Sequence, residues 1–220
     1  VFSVTNMNNI FRNADSFNQP LNNWNTSNVT LLSSTFRDNG IFNQDLSSWD
    51  TSSVTKMQET FFNNPVFNNG QSSGVSNTLQ WDTSTVTRMD NMFEEASAFN
   101  GNISGWNVSG VTQMDRMFFN ARVFNQDLSN WNTSSATTLQ GMFNGATIFN
   151  NGLSAGVSST IMNWSTSSVT TIESTFASAP AFNGNISGWD VSNVTAANNL
   201  FNGASRFNQP IGGWLSLIHI

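Results

Sequence analysis

The sequence predicts an α/β repeat solenoid, a single elongated domain over residues 1–214 in which about eight 25-residue rungs stack on one another. Three observations predict it. Trp stands at 24, 49, 81, 106, 131, 164, 189 and 214, so the gaps are 25, 32, 25, 25, 33, 25 and 25. A Val-Thr pair follows each of the first seven Trp by five residues, from Val29 to Val194, with Ala136-Thr137 as the one substitution, and Val4-Thr5 opens the series. Seven residues on comes a Phe (Phe11, Phe36, Phe61, Phe93, Phe118, Phe143, Phe176, Phe201), and six further a Phe-Asn pair, from Phe17-Asn18 to Phe207-Asn208. Sixteen of the 19 Phe therefore sit in columns. A unit this short cannot bury its apolar side alone, so each must cover the next.

Each rung is expected to read as short strand, turn, short helix and loop. Leu46-x-x-Trp49-x-Thr51 sets inward residues two and three apart, the mark of a short parallel strand. Val54 to Phe61 carries apolar residues at i, i+3 and i+7, which is helical spacing. Thr55 with Gln58, Thr87 with Asp90, Thr112 with Asp115 and Thr170 with Glu173 read as capping boxes at its start. Gly40, Gly145 and Gly203 mark its end, where positive φ is needed. The Asn of each Phe-Asn pair, repeated from Asn18 to Asn208, is expected to bond the loop backbone of its own rung and of the next. Strands about 4.8 Å apart would make a rod on the order of 40 Å long.

The two long gaps hold matching insertions, at 69–80 and 151–163, three rungs apart. The units between them also match, Phe42–Leu46 with Phe124–Leu128 and Phe99–Ile103 with Phe182–Ile186, so a block of about 82 residues has been duplicated. Loops leaving a rigid scaffold at equivalent points are where binding usually sits, and these are expected to protrude from one side about 15 Å apart. Their Gly and Ser content also fits plain flexible turns, with Leu79 and Ile161 re-entering the core.

Composition removes several functions. Cys is absent, which leaves no disulfide framework and no thiolate zinc site. The only His is His219, so a Ser-His-Asp triad lacks its base within the repeats. A net charge of −6 on seven basic residues argues against nucleic acid. No apolar run approaches the roughly 18 residues of a membrane span, and no leader is read at the start. No D-x-D-x-D calcium loop occurs, and Asp45, Asp50, Asp127 and Asp190 are spaced as a solvated edge rather than a hydrolytic pair. No catalytic residue, cofactor or metal is assigned.

The phrase FNQDLSSWDTSSVTKMQETFF at Phe42–Phe62, echoed by FNGNISGWNVSGVTQMDRMFFNA at Phe99–Ala121, resembles the BspA-type leucine-rich-repeat surface proteins, 25-residue repeats also catalogued as a domain of unknown function in mycoplasma lipoproteins. The resemblance covers residues 1–214 and rests on the joint W-x-x-S-x-V-T-x-M-x-x-M-F and Phe-Asn pattern. It implies a leucine-rich-repeat-like stack, secreted or held at the cell surface, that adheres to host, matrix or cell-surface proteins or glycans. Signal and anchor are expected outside this segment. Tail residues 215–220 break the register, resemble translated adaptor sequence and are not expected to be native structure, and open rung ends are expected to favour end-to-end self-association.

The first reading is therefore a non-enzymatic recognition module. Its ligand-binding candidates are Asn69, Gln71, Ser72 and Ser73 in one insertion, Asn151, Ser154 and Ser158 in the other, and Asp50, Asp82, Asn107 and Asn132 beside the Trp column. A rival is ice or crystal binding by the Thr26, Thr51, Thr83, Thr133 and Thr166 column, which requires those hydroxyls to face outward although the register points them inward. Trp and Met columns are expected to be core rather than a sugar platform or a metal site. The numerous N-x-S/T sequons, Asn107 and Asn132 among them, follow from the repeat consensus.

Overall fold

The computed structural model describes residues 3–158 and 162–216. Rungs stack through parallel bridges one residue wide, running Asn6, Leu31, Lys56, Arg88, Gln113, Thr138, Thr171, Ala196. The backbone beyond each bridge keeps a two-residue alternation. Leu32, Ser34, Phe36 and Asp38 donate their N–H groups to Lys56, Gln58, Thr60 and Phe62 of the next rung at 2.8–3.0 Å, whereas Thr35, Arg37 and Asn39 donate to residues three earlier in their own rung at 3.2 Å. The result is a run of overlapping turns whose alternate amides point along the stack.

This run occupies the stretch expected to be helical, and no helix forms in it. Among the described residues the only helix is the 3-10 turn Gly212–Ser216. Overlapping turns bring a side chain inward every three or four residues, as Met57, Thr60, Phe61 and Asn64 show by their burial, so they imitate the spacing of a helix. The difference lies in the amides, because a helix keeps all of them for itself. Sharing them with the next rung requires positive φ twice per rung: Asn9 and Asn13, Ser34 and Asp38, Glu59 and Asn63, and so on to Asn199 and Gly203. A non-glycine residue gives up about 1–2 kcal/mol there, roughly what one or two inter-rung hydrogen bonds return. The Thr expected to cap the helices serve the stack instead. Thr55 Oγ1 donates to Thr30 O at 3.2 Å, and Thr30, Thr87, Thr112, Thr137, Thr170 and Thr195 repeat the bond to the rung before.

The strand expected around Trp is likewise displaced. Leu46–Thr51 turns, with Trp49 N donating to Leu46 O at 3.1 Å, and pairing waits until Lys56.

Aromatic columns fill the interior. Within each rung the two Phe rings stack 3.7–4.1 Å apart, and each ring meets its copy in the next rung at 5.3–6.3 Å. Trp49, Trp81, Trp106, Trp131, Trp164, Trp189 and Trp214 are buried, and Trp24 on the first rung is exposed. The indole N–H of Trp49, Trp81, Trp106, Trp131 and Trp164 donates to a carbonyl one rung back, at 2.9–3.2 Å. Burying the ring thus leaves no orphaned donor in these rungs.

Beside the Phe runs the Asn ladder expected from sequence. Asn18 Oδ1 accepts from Asn43 N, Asn43 Oδ1 from Asn68 N, and the relay continues through Asn100, Asn125, Asn150 and Asn183 to Asn208 at 2.7–3.0 Å. Thr26, Thr51, Thr83, Thr133 and Thr166 are buried too, each hydroxyl donating to a carbonyl of the following rung at 2.9–3.0 Å. That column presents no hydroxyl to ice. His219 and the rest of 217–220 lie outside the described residues, as does Ile161.

Candidate functional site

Over residues 69–80 and 151–158 the insertions are tied to the stack by hydrogen bonds rather than left as plain flexible turns. Asn68 Nδ2 donates to Ser72 O at 2.6 Å and to Val75 O at 2.9 Å, closing the first loop on a buried amide. Gly74 N donates to Ala98 O at 3.0 Å and Asn100 Nδ2 donates to Gly74 O at 2.8 Å, which ties the loop to the next rung. Asn43 Nδ2 donates to Gln71 O at 2.8 Å and ties it to the rung before. The second loop repeats every one of these bonds, from Asn150 to Ser154 and Val157, from Gly156 to Ala181, from Asn183 to Gly156 and from Asn125 to Leu153.

Two candidates are corrected by this arrangement. Asn69 and Asn151 are only 1% and 3% exposed. Their Oδ1 atoms accept from Leu46 N and Leu128 N at 2.8 Å, and their Nδ2 atoms donate to Ser47 Oγ and Ser129 Oγ. Both are internal struts with positive φ and offer nothing to a ligand. Gln71, Ser72, Ser73, Ser154 and Ser158 are exposed, although Ser72 and Ser154 lend their carbonyls to the loop closure. Ser158 Oγ donates to Gln209 Oε1 at 3.3 Å.

Asp50, Asp82, Asn107 and Asn132 are exposed in one column, one per rung. Each Oδ1 accepts from the N–H two residues on, at Ser52, Ser84, Ser109 and Ser134, at 2.9–3.1 Å. The serine hydroxyls and then the serine amides hold the carboxyls of Asp50, Asp82 and Asp190 below the ordinary range, so all are ionised at neutral pH. The segments around Trp carry Asp45, Asp50, Asp82, Asp127 and Asp190 with no Lys or Arg among them. Cations instead gather on the turn side: Arg88 with Asp90, Arg116 with Glu94, and Arg37 with Asp38 and Glu59. Asp115 on that side has its carboxyl pushed up, first by burial and then by Asp90. The described residues contain no group of three or more acidic or His side chains placed to hold a metal.

One concave feature was not anticipated. In most rungs the buried aliphatic residue lies three before Trp and closes a turn onto it, as Leu46 and Ile103 do at 3.0–3.1 Å. Leu79 lies only two before Trp81, yet it accepts the indole N–H of Trp106 at 2.9 Å as its counterparts do for theirs. The rung is one residue short there. A cavity of about 310 Å³ occupies the gap, floored by Leu79, Trp81 and Trp106 and edged by Thr78, Gln80, Asp82, Asn102 and Gly105. The shortened Leu79-x-Trp81 spacing, repeated as Met162-x-Trp164, was the signal for it in the sequence. A second surface missed from sequence is the partly exposed Thr30, Thr55, Thr87, Thr112, Thr137, Thr170 column, whose residues had been expected to cap helices.

The repeats and columns agree with a comparison against known families. The family described as Mycoplasma protein of unknown function, DUF285, matches residues 1–78, 65–156 and 154–217. The chain belongs to this family. The three DUF285 matches take in three, three and two residues of the bridge column, so the family unit spans several rungs rather than one. Neither the curated proteins nor the solved structures gave a match. Among the described residues no helix is long and apolar enough to cross a membrane.

Proposed function

We propose that this chain is a non-enzymatic recognition or adhesion segment of the BspA-type leucine-rich-repeat kind, a solenoid displayed outside the cell or at its surface. Its partner is a host, matrix or cell-surface protein or glycan, with neither nucleic acid nor a membrane span involved. The observation that carries this reading is the exposed Asp50, Asp82, Asn107, Asn132 column: two carboxylates and two amides, one per rung, each fixed by its own turn. A surface already held in one conformation loses little entropy on binding. The absence of Lys and Arg around it selects a neutral or basic partner. The two tethered loops widen the same scaffold. End-to-end self-association through apolar rung faces belongs to the same proposal.

The test is a glycan and matrix-protein array probed with the labelled chain. Binding should appear, and should fall at least tenfold when Asp50, Asp82, Asn107 and Asn132 are all changed to Ala, with the altered chain still unfolding cooperatively, at a somewhat lower temperature because four turn bonds are lost. An array without binding, or binding indifferent to those changes and to shortening both loops, rejects the reading. Ice or crystal binding keeps one supporting observation, the Thr30 to Thr195 column, whose hydroxyls are locked in register on a partly exposed face. Thermal hysteresis abolished by Thr87→Leu and Thr137→Leu would favour it.

A further inference from the structure

We infer that the cavity between the Trp81 and Trp106 rungs is a binding site for a neutral hexose unit, such as the end or a branch of a glycan. This rests on the recognition reading above and gives it a specific subsite. The cavity comes from a missing residue rather than from loose packing. Trp81 N lacks the bond to a residue three earlier that Trp49, Trp106 and Trp131 make, while the bond from Trp106 to Leu79 keeps the floor in place. The walls are therefore preformed. Its volume, about 310 Å³, is at the small end of ligand pockets, roughly 300–1,000 Å³, and suits one ring rather than an extended chain.

The chemistry of the lining narrows the ligand. Leu79, Trp81 and Trp106 are only 1%, 3% and 5% exposed, so the apolar floor is a narrow one, made of Leu79 and the rims of two parallel indoles 6.3 Å between centroids and 1° between planes. Thr78, Gln80, Asp82 and Asn102 give polar groups around it. A hexose ring has this division, with C–H groups on one face and hydroxyls at its edge. Asp82 is held ionised by Ser84. No cationic residue lines the cavity, so an acidic sugar meets repulsion and a neutral one meets acceptors for its hydroxyls. Gly105 forms part of the edge, and nothing lies within 4 Å of where a Cβ on it would stand. The space above it is open.

That opening supplies the test. Gly105→Leu should fill the cavity without strain, and Gly40→Leu, also free of neighbours within 4 Å, is the control away from it. Ligand-observed NMR on the whole chain should show saturation transfer to methyl α-glucoside or methyl β-galactoside, with Kd on the order of 1 mM as befits so small a ligand. Gly105→Leu should weaken it at least tenfold, Gly40→Leu should leave it unchanged, and methyl glucuronide should bind several-fold more weakly than the glucoside. No transfer from either neutral glycoside, equal binding by the Gly105→Leu protein, or equal binding of glucuronide overturns the inference. Array binding by the unaltered chain without glycoside transfer to it rejects the cavity alone and leaves the recognition reading standing. Absence of both in the unaltered chain rejects both.

Discussion

The duplicated blocks, 42–123 and 124–206, share a scaffold and differ in what they place on its turn side. The first holds Glu59, Arg88, Asp90, Glu94, Glu95, Asp115 and Arg116 there. The second holds Gly141, Thr171, Glu173, Ala177, Ser178, Asn198 and Asn199 at the matching positions. The interior does not respond: Phe61 and Phe67 stack at 3.7 Å, and Phe143 and Phe149 at 3.8 Å. The loop anchors also agree to within hydrogen-bond precision, 2.6 and 2.9 Å from Asn68 and the same from Asn150. Ion pairs on a partly exposed surface contribute only about 0–1 kcal/mol. Shared amides, stacked rings and the Asn ladder therefore specify the architecture, and the charged network is variation laid over it.

The comparison breaks first at the rings. Phe61→Ala and Phe143→Ala should each cost about 3–5 kcal/mol in urea unfolding, and by similar amounts, since both are fully buried between two rungs. A cost confined to the charged block would show that its ion pairs help to carry the core. Next come the loop anchors. Asn68→Ala and Asn150→Ala each strand one amide of the next rung and two loop carbonyls, for about 2–4 kcal/mol, and should raise hydrogen exchange at Gly74 and Gly156. Rapid exchange at these glycines in the unaltered chain would contradict an ordered loop.

Glycine sharpens the contrast in the third case. Gly145 has φ +74° and a Cβ there would stand 2.0 Å from Asn120 Oδ1, whereas the matching Asn63 has φ 49° and donates to Asp38 Oδ1 at 3.1 Å. Gly145→Ala should cost about 1–3 kcal/mol, and Asn120→Gly in the same chain should recover part of it. No recovery would place the whole cost in the backbone. Asn64 offers the opposite sign. It is fully buried with neither side-chain atom bonded, and its match is Ala146. Asn64→Ala should stabilise by about 1–2 kcal/mol, the cost of burying an unpaired amide.

These contrasts also show how far the sequence could be read. Columns of Trp, Phe and Asn announced themselves, because stacking makes a buried position identical in every rung. Turn and helix were confused because both return Met57 and Phe61 to the core, and spacing does not record where an amide points. Positive φ left traces, Asn and Gly at 63, 145 and 203, but Glu59 and Arg116 hid them. At the site, Asp50, Asp82, Asn107 and Asn132 were legible as exposed, since they alternate with buried Thr or Val. Asn69 and Asn151 were misread because a polar residue in an insertion suggests solvent, and only their bonds to Leu46 and Leu128 show them as struts. The cavity followed from one missing residue, which matters only once the register of the stack is known.

The smallest effect is expected from making the blocks alike at one titrating position. Asp115 matches Asn198. Its carboxyl is raised by burial and then by Asp90, against its own backbone amide, Arg88 and Arg116. A carboxyl whose folded pKa exceeds its unfolded value, about 3.9, binds more protons in the folded chain, so stability falls as pH rises from the unfolded to the folded pKa. The penalty is absent below that window and complete above it. Asp115→Asn should therefore stabilise at pH 7 and not at pH 3, and since the group is partly exposed, solvent screening limits the gain to a few tenths of a kcal/mol. Asp50, Asp82 and Asp190 run the other way, with lowered carboxyls whose contribution is lost as pH falls. Urea midpoints for both chains at the two pH values separate the cases. An equal gain at pH 3 would mean that the side chain's shape matters rather than its charge, and the difference between the blocks at this position would then be one of packing.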